Sequence, residues 1–141
     1  MLLGPADSFT LLSGILTTSA GNELTIDKTA TTLPTGLATS YVRGPLGIAI
    51  NSATTVNRTF AVGDAAGWRP LVVTGITAAT YQTLTATVAS GAMGGTGVSP
   101  VTSPNPARYV RLENSANLPA GVYVLRARTE GGLDVRHITE Q

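Results

Sequence analysis

A chain of 141 residues, 43% hydrophobic and 12% charged, has room for one domain, or for one domain and a small extension. Its net charge of +1 and ample apolar content argue against a disordered chain and against a strongly basic nucleic-acid binder. With no Cys and one His, it has no disulfide scaffold, no thiolate ligand or nucleophile, and no His pair to hold a metal.

The chain opens Met1-Leu2-Leu3-Gly4-Pro5-Ala6-Asp7, with neither the basic start nor the long apolar run of a signal peptide. No apolar run reaches the ~18 residues of a membrane-spanning helix. Thr and Val are abundant, and both suit a pleated surface. Gly or Pro interrupts most windows that could hold a helical period, so the expected class is all-β.

Strands are expected at 9–12, 15–17, 23–27, 39–43, 46–51, 57–62, 69–76, 81–90, 107–113, 121–129 and 133–138. The first of these are very short and separated by Ser13-Gly14 and Gly21-Asn22. They resemble the rungs of a β-solenoid, and so few rungs need a following domain or a neighbouring chain to cover them. The division is therefore residues 1–35 as rungs or an extension, and residues 36–141 as an antiparallel β-sandwich. In the stretch 81–88, Tyr81, Thr83, Thr85 and Thr87 share one face. Gln82, Leu84, Ala86 and Val88 share the other, which is the expected core side. Residues 91–106 are rich in Gly, Pro and Ser and read as a long loop, either a plain connection or an interface. Gly131-Gly132 is the expected turn of a terminal hairpin.

A structural corner is expected from Tyr41, Gly44, Pro45, Phe60, Gly63, Trp68, Arg69 and Pro70. Gly44-Pro45 ends one strand and aims the next, because Pro cannot donate to a central ladder. Arg69 could lie over an aromatic ring or pair with Asp64. Phe9, Leu11, Ile15, Gly94, Gly95, Arg126 and Arg128 are candidate interface residues.

The chemistry of a site is sparse. His137 stands alone between Arg136 and Ile138, with no G-x-S-x-G nucleophile turn anywhere. Glu23 and Asp27 fall on one strand face, as a hydrolytic carboxylate pair would, and read better as rung residues facing solvent. Gly91–Gly97 lacks the Gly-Lys-Ser/Thr ending of a phosphate loop. Asn57-Arg58-Thr59 matches a three-residue glycosylation pattern that recurs by chance. No catalytic, cofactor-binding or metal residue is assigned; an enzyme is not expected, nor is a nucleic-acid partner.

Three pieces carry a resemblance: Thr39-Ser40-Tyr41-Val42-Arg43-Gly44-Pro45-Leu46, Thr59-Phe60-Ala61-Val62-Gly63-Asp64 and Trp68-Arg69-Pro70-Leu71-Val72-Val73. With the short runs 14–17 and 23–26 before them and Ala107-Arg108-Tyr109-Val110-Arg111-Leu112 after, the chain resembles a module of large secreted and cell-surface proteins of the Bacteroidota type. That module combines Thr/Gly-rich β-helical rungs with a β-sandwich. The resemblance spans residues 9–112. Val110 stands where an aromatic is common, the 91–106 loop is long, and the end after Glu130 has no recognisable sorting domain. The resemblance implies an extracellular, non-catalytic structural or adhesive module. The expected function is a subunit or module of a surface fibre or layer that packs through strand edges and β-faces on copies of itself. The alternatives are an adhesive, carbohydrate-binding surface module and a decoration or tail β-module of a phage virion.

Overall fold

The computed structural model describes residues 2–3, 9–27, 33–91, 108–114, 121–129 and 132–140; side chains are described for 9–27, 33–91 and 109–113. The strands in chain order are β1 (Leu2–Leu3), β2 (Gly14–Thr17), β3 (Leu24–Ile26), β4 (Ser40–Arg43), β5 (Leu46–Phe60), β6 (Val62–Asp64), β7 (Gly67–Trp68), β8 (Leu71–Ser90), β9 (Arg108–Asn114), β10 (Gly121–Thr129) and β11 (Gly132–Glu140). No helix occurs among the described residues, so the fold is all-β.

The strands form a five-stranded sheet in the order β1-β3-β5-β8-β9, a four-stranded sheet in the order β2-β4-β6-β7, and the hairpin β10-β11. From β1 to β6 the chain visits the two larger sheets in alternation. Each visit pairs parallel with the previous visit to the same sheet. Parallel neighbours within one sheet normally need a long crossover. Here the intervening strand in the opposite sheet supplies it, so the corners between sheets can be very short. Gly44-Pro45 alone joins β4 to β5, and Ala61 alone joins β5 to β6.

Both larger sheets are therefore mixed. Antiparallel pairing, expected for the sandwich at 36–141, is found in β5–β8–β9, β6–β7 and β10–β11, while β4 pairs parallel with β6. The cause is topological: a chain that alternates between two sheets returns to each in the same direction.

A single buried cluster draws on both sheets. It contains Leu24, Ile26, Leu46, Ile48, Ile50, Phe60, Leu71, Val73, Leu84 and Ala86, with Val42 and Val62 from the four-stranded sheet. In β8, Gln82, Leu84 and Ala86 are buried, and Val88 is half-buried against the core. Tyr81, Thr83, Thr85 and Thr87 turn outward, as the period-two pattern requires.

Four local expectations need correction. Segments 46–51 and 57–62 are one strand to Phe60, and 69–76 and 81–90 are one strand from Leu71. The Ser, Thr and Ala between them are compatible with extended backbone, and their uneven lengths are absorbed by register shifts between Ile50 and Arg58. Residues 9–12 form no strand, although Phe9 and Leu11 pack on the core. Val62 does not continue the strand of Phe60 but opens β6, which ends at Asp64 before the turn at Ala65-Ala66. Gly132 belongs to β11 and pairs with Thr129, one residue away from the expected turn position.

Candidate functional site

Three surfaces or corners gather the residues singled out by the sequence. The first is the corner around β4 and β6. Tyr41 is buried, and its hydroxyl donates to the Asp64 carbonyl at 2.9 Å. Its ring lies on Gly63, where an added Cβ would stand 2.5 Å from the ring and from the Gly67 carbonyl oxygen. Gly63 is thus required by contact rather than by turn geometry. Gly44 is required on both counts: its φ is +126°, and a Cβ there would collide with the Thr18 carbonyl. Thr18 fastens this corner, its amide donating to Arg43 O at 3.0 Å and its hydroxyl to Pro45 O at 2.8 Å. Trp68 pairs across from Gly63 and is half-buried, with its indole Nε1 buried. Phe60 is fully buried in the core, and Arg69 and Pro70, which follow Trp68 in the chain, are half-buried. Tyr41 and Phe60 are buried and Trp68 is half-buried, so these rings do not form an open platform.

The second is the outer face of β3, β5 and β8. The register sets Thr25, Gly47 and Thr85 in one row across the sheet. Gly47 and Ala49 make a floor of small residues. The carboxylate of Glu23 leans over this floor, and Thr85 Oγ1 donates to its Oε1 at 2.9 Å. Tyr81 likewise donates to Asp27 Oδ2 at 3.1 Å. The two acidic side chains that flank β3 thus reach past β5 to β8. Glu23 and Asp27 share a face as expected, but they are half-buried and hydrogen-bonded rather than simply facing solvent. The Tyr81 hydroxyl has its pKa raised from 10.0, first by burial, then by its hydrogen bond to Asp27 and by that carboxylate's charge. Among the described residues no group of three His, Cys, Asp or Glu is placed to hold a metal ion.

The third is the free edge at β2. All four of its residues are exposed, including Ile15 at 48% and Leu16 at 37%, and Leu12 just before it is 81% exposed. Among the described residues β2 is paired on one side only, with β4. Of the expected interface residues, Ile15 lies here, whereas Phe9 and Leu11 turn to the core. Gly94, Gly95 and the 92–106 part of the loop lie outside the described residues, as do the side chains of Arg126, Arg128 and His137.

Sequence reasoning missed Leu12 and Leu16 as exposed edge residues, and Thr18 and the β8 partners of Glu23 and Asp27. Leu16 looks like a core residue from its alternation, and it does sit in the row of Val42 and Val62. Only the sheet order reveals that nothing among the described residues covers its far side. Comparison with protein-family models, with curated proteins and with solved structures finds no match to this chain.

Proposed function

We propose that this chain is a non-catalytic structural module of an extracellular surface assembly, a fibre or a layer, that associates through its strand edges with copies of itself. In this reading β1 to β3, within residues 1–35, are short solenoid-like rungs, and the strands from β4 onward belong to the sandwich that the rungs abut. The alternating parallel pairing supports the rungs. The resemblance to secreted β-helix-plus-sandwich modules supports the extracellular setting.

The observation that carries the reading is the edge at β2. It is uncharged and exposed, with Ile15 and Leu16 at its centre, and among the described residues no strand pairs with its far side, which leaves that side to another strand. The low charge of the whole chain, 12%, leaves little repulsion between copies. Sedimentation velocity over a wide concentration range tests it. Concentration-dependent oligomers are expected; monomer at every concentration overturns the reading.

A second reading, an adhesive glycan-binding module, rests on Tyr81, 48% exposed beside Asp27 and Glu23 on the outer face. A sugar ring could stack on the phenol while the carboxylates accept from its hydroxyls. A glycan array gives binding that Tyr81→Ala removes if this reading holds, and no binding if it does not.

A further inference from the structure

We infer that the β2 edge closes on the β2 edge of a second copy, antiparallel about a two-fold axis, so that this contact forms a closed dimer. The inference rests on the proposed edge association and specifies its partner and geometry. The two larger sheets have four edge strands among the described residues: β1, β9, β2 and β7. β1 and β7 are only two residues long, a length that offers little ladder to a partner. β9 is longer but carries Arg111 and Glu113, both more than half exposed and bonded to each other at 3.1 Å. Charged side chains on an edge strand oppose pairing. β2 has four residues, Gly14-Ile15-Leu16-Thr17, with no charge among them and every side chain exposed. It is the one edge of the four with both the length and the apolar, unguarded surface to pair.

The rest of the molecule then decides what pairs with it. Head-to-tail growth would need a matching edge at the far end of either sheet. There the sheets finish in antiparallel strands, charged β9 and two-residue β7. The strand best matched to β2 is therefore β2 itself. An uncharged strand meets its copy without like-charge repulsion. A charge beside it among the described residues is Arg43 on β4, whose guanidinium donates to Thr17 Oγ1 at 3.2 Å. This contact selects the orientation. In parallel, in-register pairing the two Thr17–Arg43 pairs would sit side by side. In antiparallel pairing centred on Ile15, which then faces its own copy, they lie at opposite ends of the contact. The Thr17 positions are then about 14 Å apart at ordinary strand dimensions, beyond the roughly 8 Å screening length of physiological salt. Leu16 and Leu12 gain cover in the same step. In a fibre or layer, this joint is complete at two copies, and growth has to use another surface.

Sedimentation equilibrium combined with amide hydrogen exchange tests this on the full chain. A dimer that does not grow with concentration is expected, and the amides of residues 14–17 should become protected as it forms while those of 109–113 do not change. Leu16→Lys and Ile15→Lys alter exposed positions and should give monomer with an unchanged far-ultraviolet circular dichroism spectrum. Open-ended polymers abolished by Leu16→Lys would overturn two-fold closure and leave edge association standing. Oligomers indifferent to both variants would overturn β2 as the contact. Monomer at all concentrations would overturn this inference and the edge association together.

Discussion

The ring of Tyr41 and the bare backbone of Gly63 form a lock in which each residue explains the other. A methyl group at Gly63 has nowhere to go, because ring and carbonyl flank it at 2.5 Å. Gly63→Ala should therefore destabilise the fold by about 3 kcal/mol, the upper end of overpacking effects, read as a shift in the urea midpoint. Tyr41→Phe keeps the ring and removes only the bond to Asp64 O, so about 1 kcal/mol is expected. A loss as large as that of Gly63→Ala would show that the hydroxyl, not the ring, holds the corner. At Tyr81 the sign of the pH effect is set by Asp27. The neutral phenol donates to the carboxylate, and the phenolate would repel it. With its folded pKa raised above the unfolded 10.0, Tyr81 contributes stability that is present below pH 10 and is lost as pH climbs through the folded value. The ionisation missing from the ultraviolet titration of Tyr81→Phe should be one that begins at higher pH than free tyrosine. Asp27→Asn should move that ionisation back down.

At the scale of elements, burial separates strands that look alike in sequence. Gly14-Ile15-Leu16-Thr17 and Leu46-Gly47-Ile48-Ala49 are both short aliphatic runs with a glycine, yet one is wholly exposed and the other wholly buried. Ile48→Ala in β5 should cost about 2–5 kcal/mol. Ile15→Ala in β2, measured at high dilution, should stay within about 0.5 kcal/mol. Equal losses would mean that β2 is covered even in the single chain. The same comparison shows what was legible in the sequence. Alternation in 81–88 gives the inner and outer faces correctly, because the period of a strand is a local property. The break between β4 and β5 was legible too, since Pro45 cannot donate to a central ladder. Sheet membership was not. Nothing local in Glu23-Leu24-Thr25-Ile26 says that it pairs parallel with 46–48, or that Glu23 will reach Thr85 across an intervening strand. Nor does an exposed edge differ in composition from a central strand when its neighbour is set by topology.

For the whole molecule, scarcity of charge becomes a prediction about solvent. The proposed association through β2 would involve no ion pair at the contact, so raising salt within the physiological range should leave the sedimentation profile unchanged. Dissociation by moderate salt would point instead to a charged contact elsewhere on the chain. The register of the long strands has a kinetic counterpart. Phe60 and Leu71 pair close to the reversal of the chain, and successive pairs along β5 and β8, out to Leu46 and Ala86, join residues ever further apart in sequence. Loop-closure entropy favours the nearest pair first. Strand β3 can enter only after β5 has a defined edge to receive it. Changes at Phe60 or Leu71 should therefore slow refolding, whereas changes at Leu24 or Ile26 should mainly speed unfolding. The chain would then fold from its middle outward, its earliest residues arriving last, and its N-terminal strands would be the first to let go.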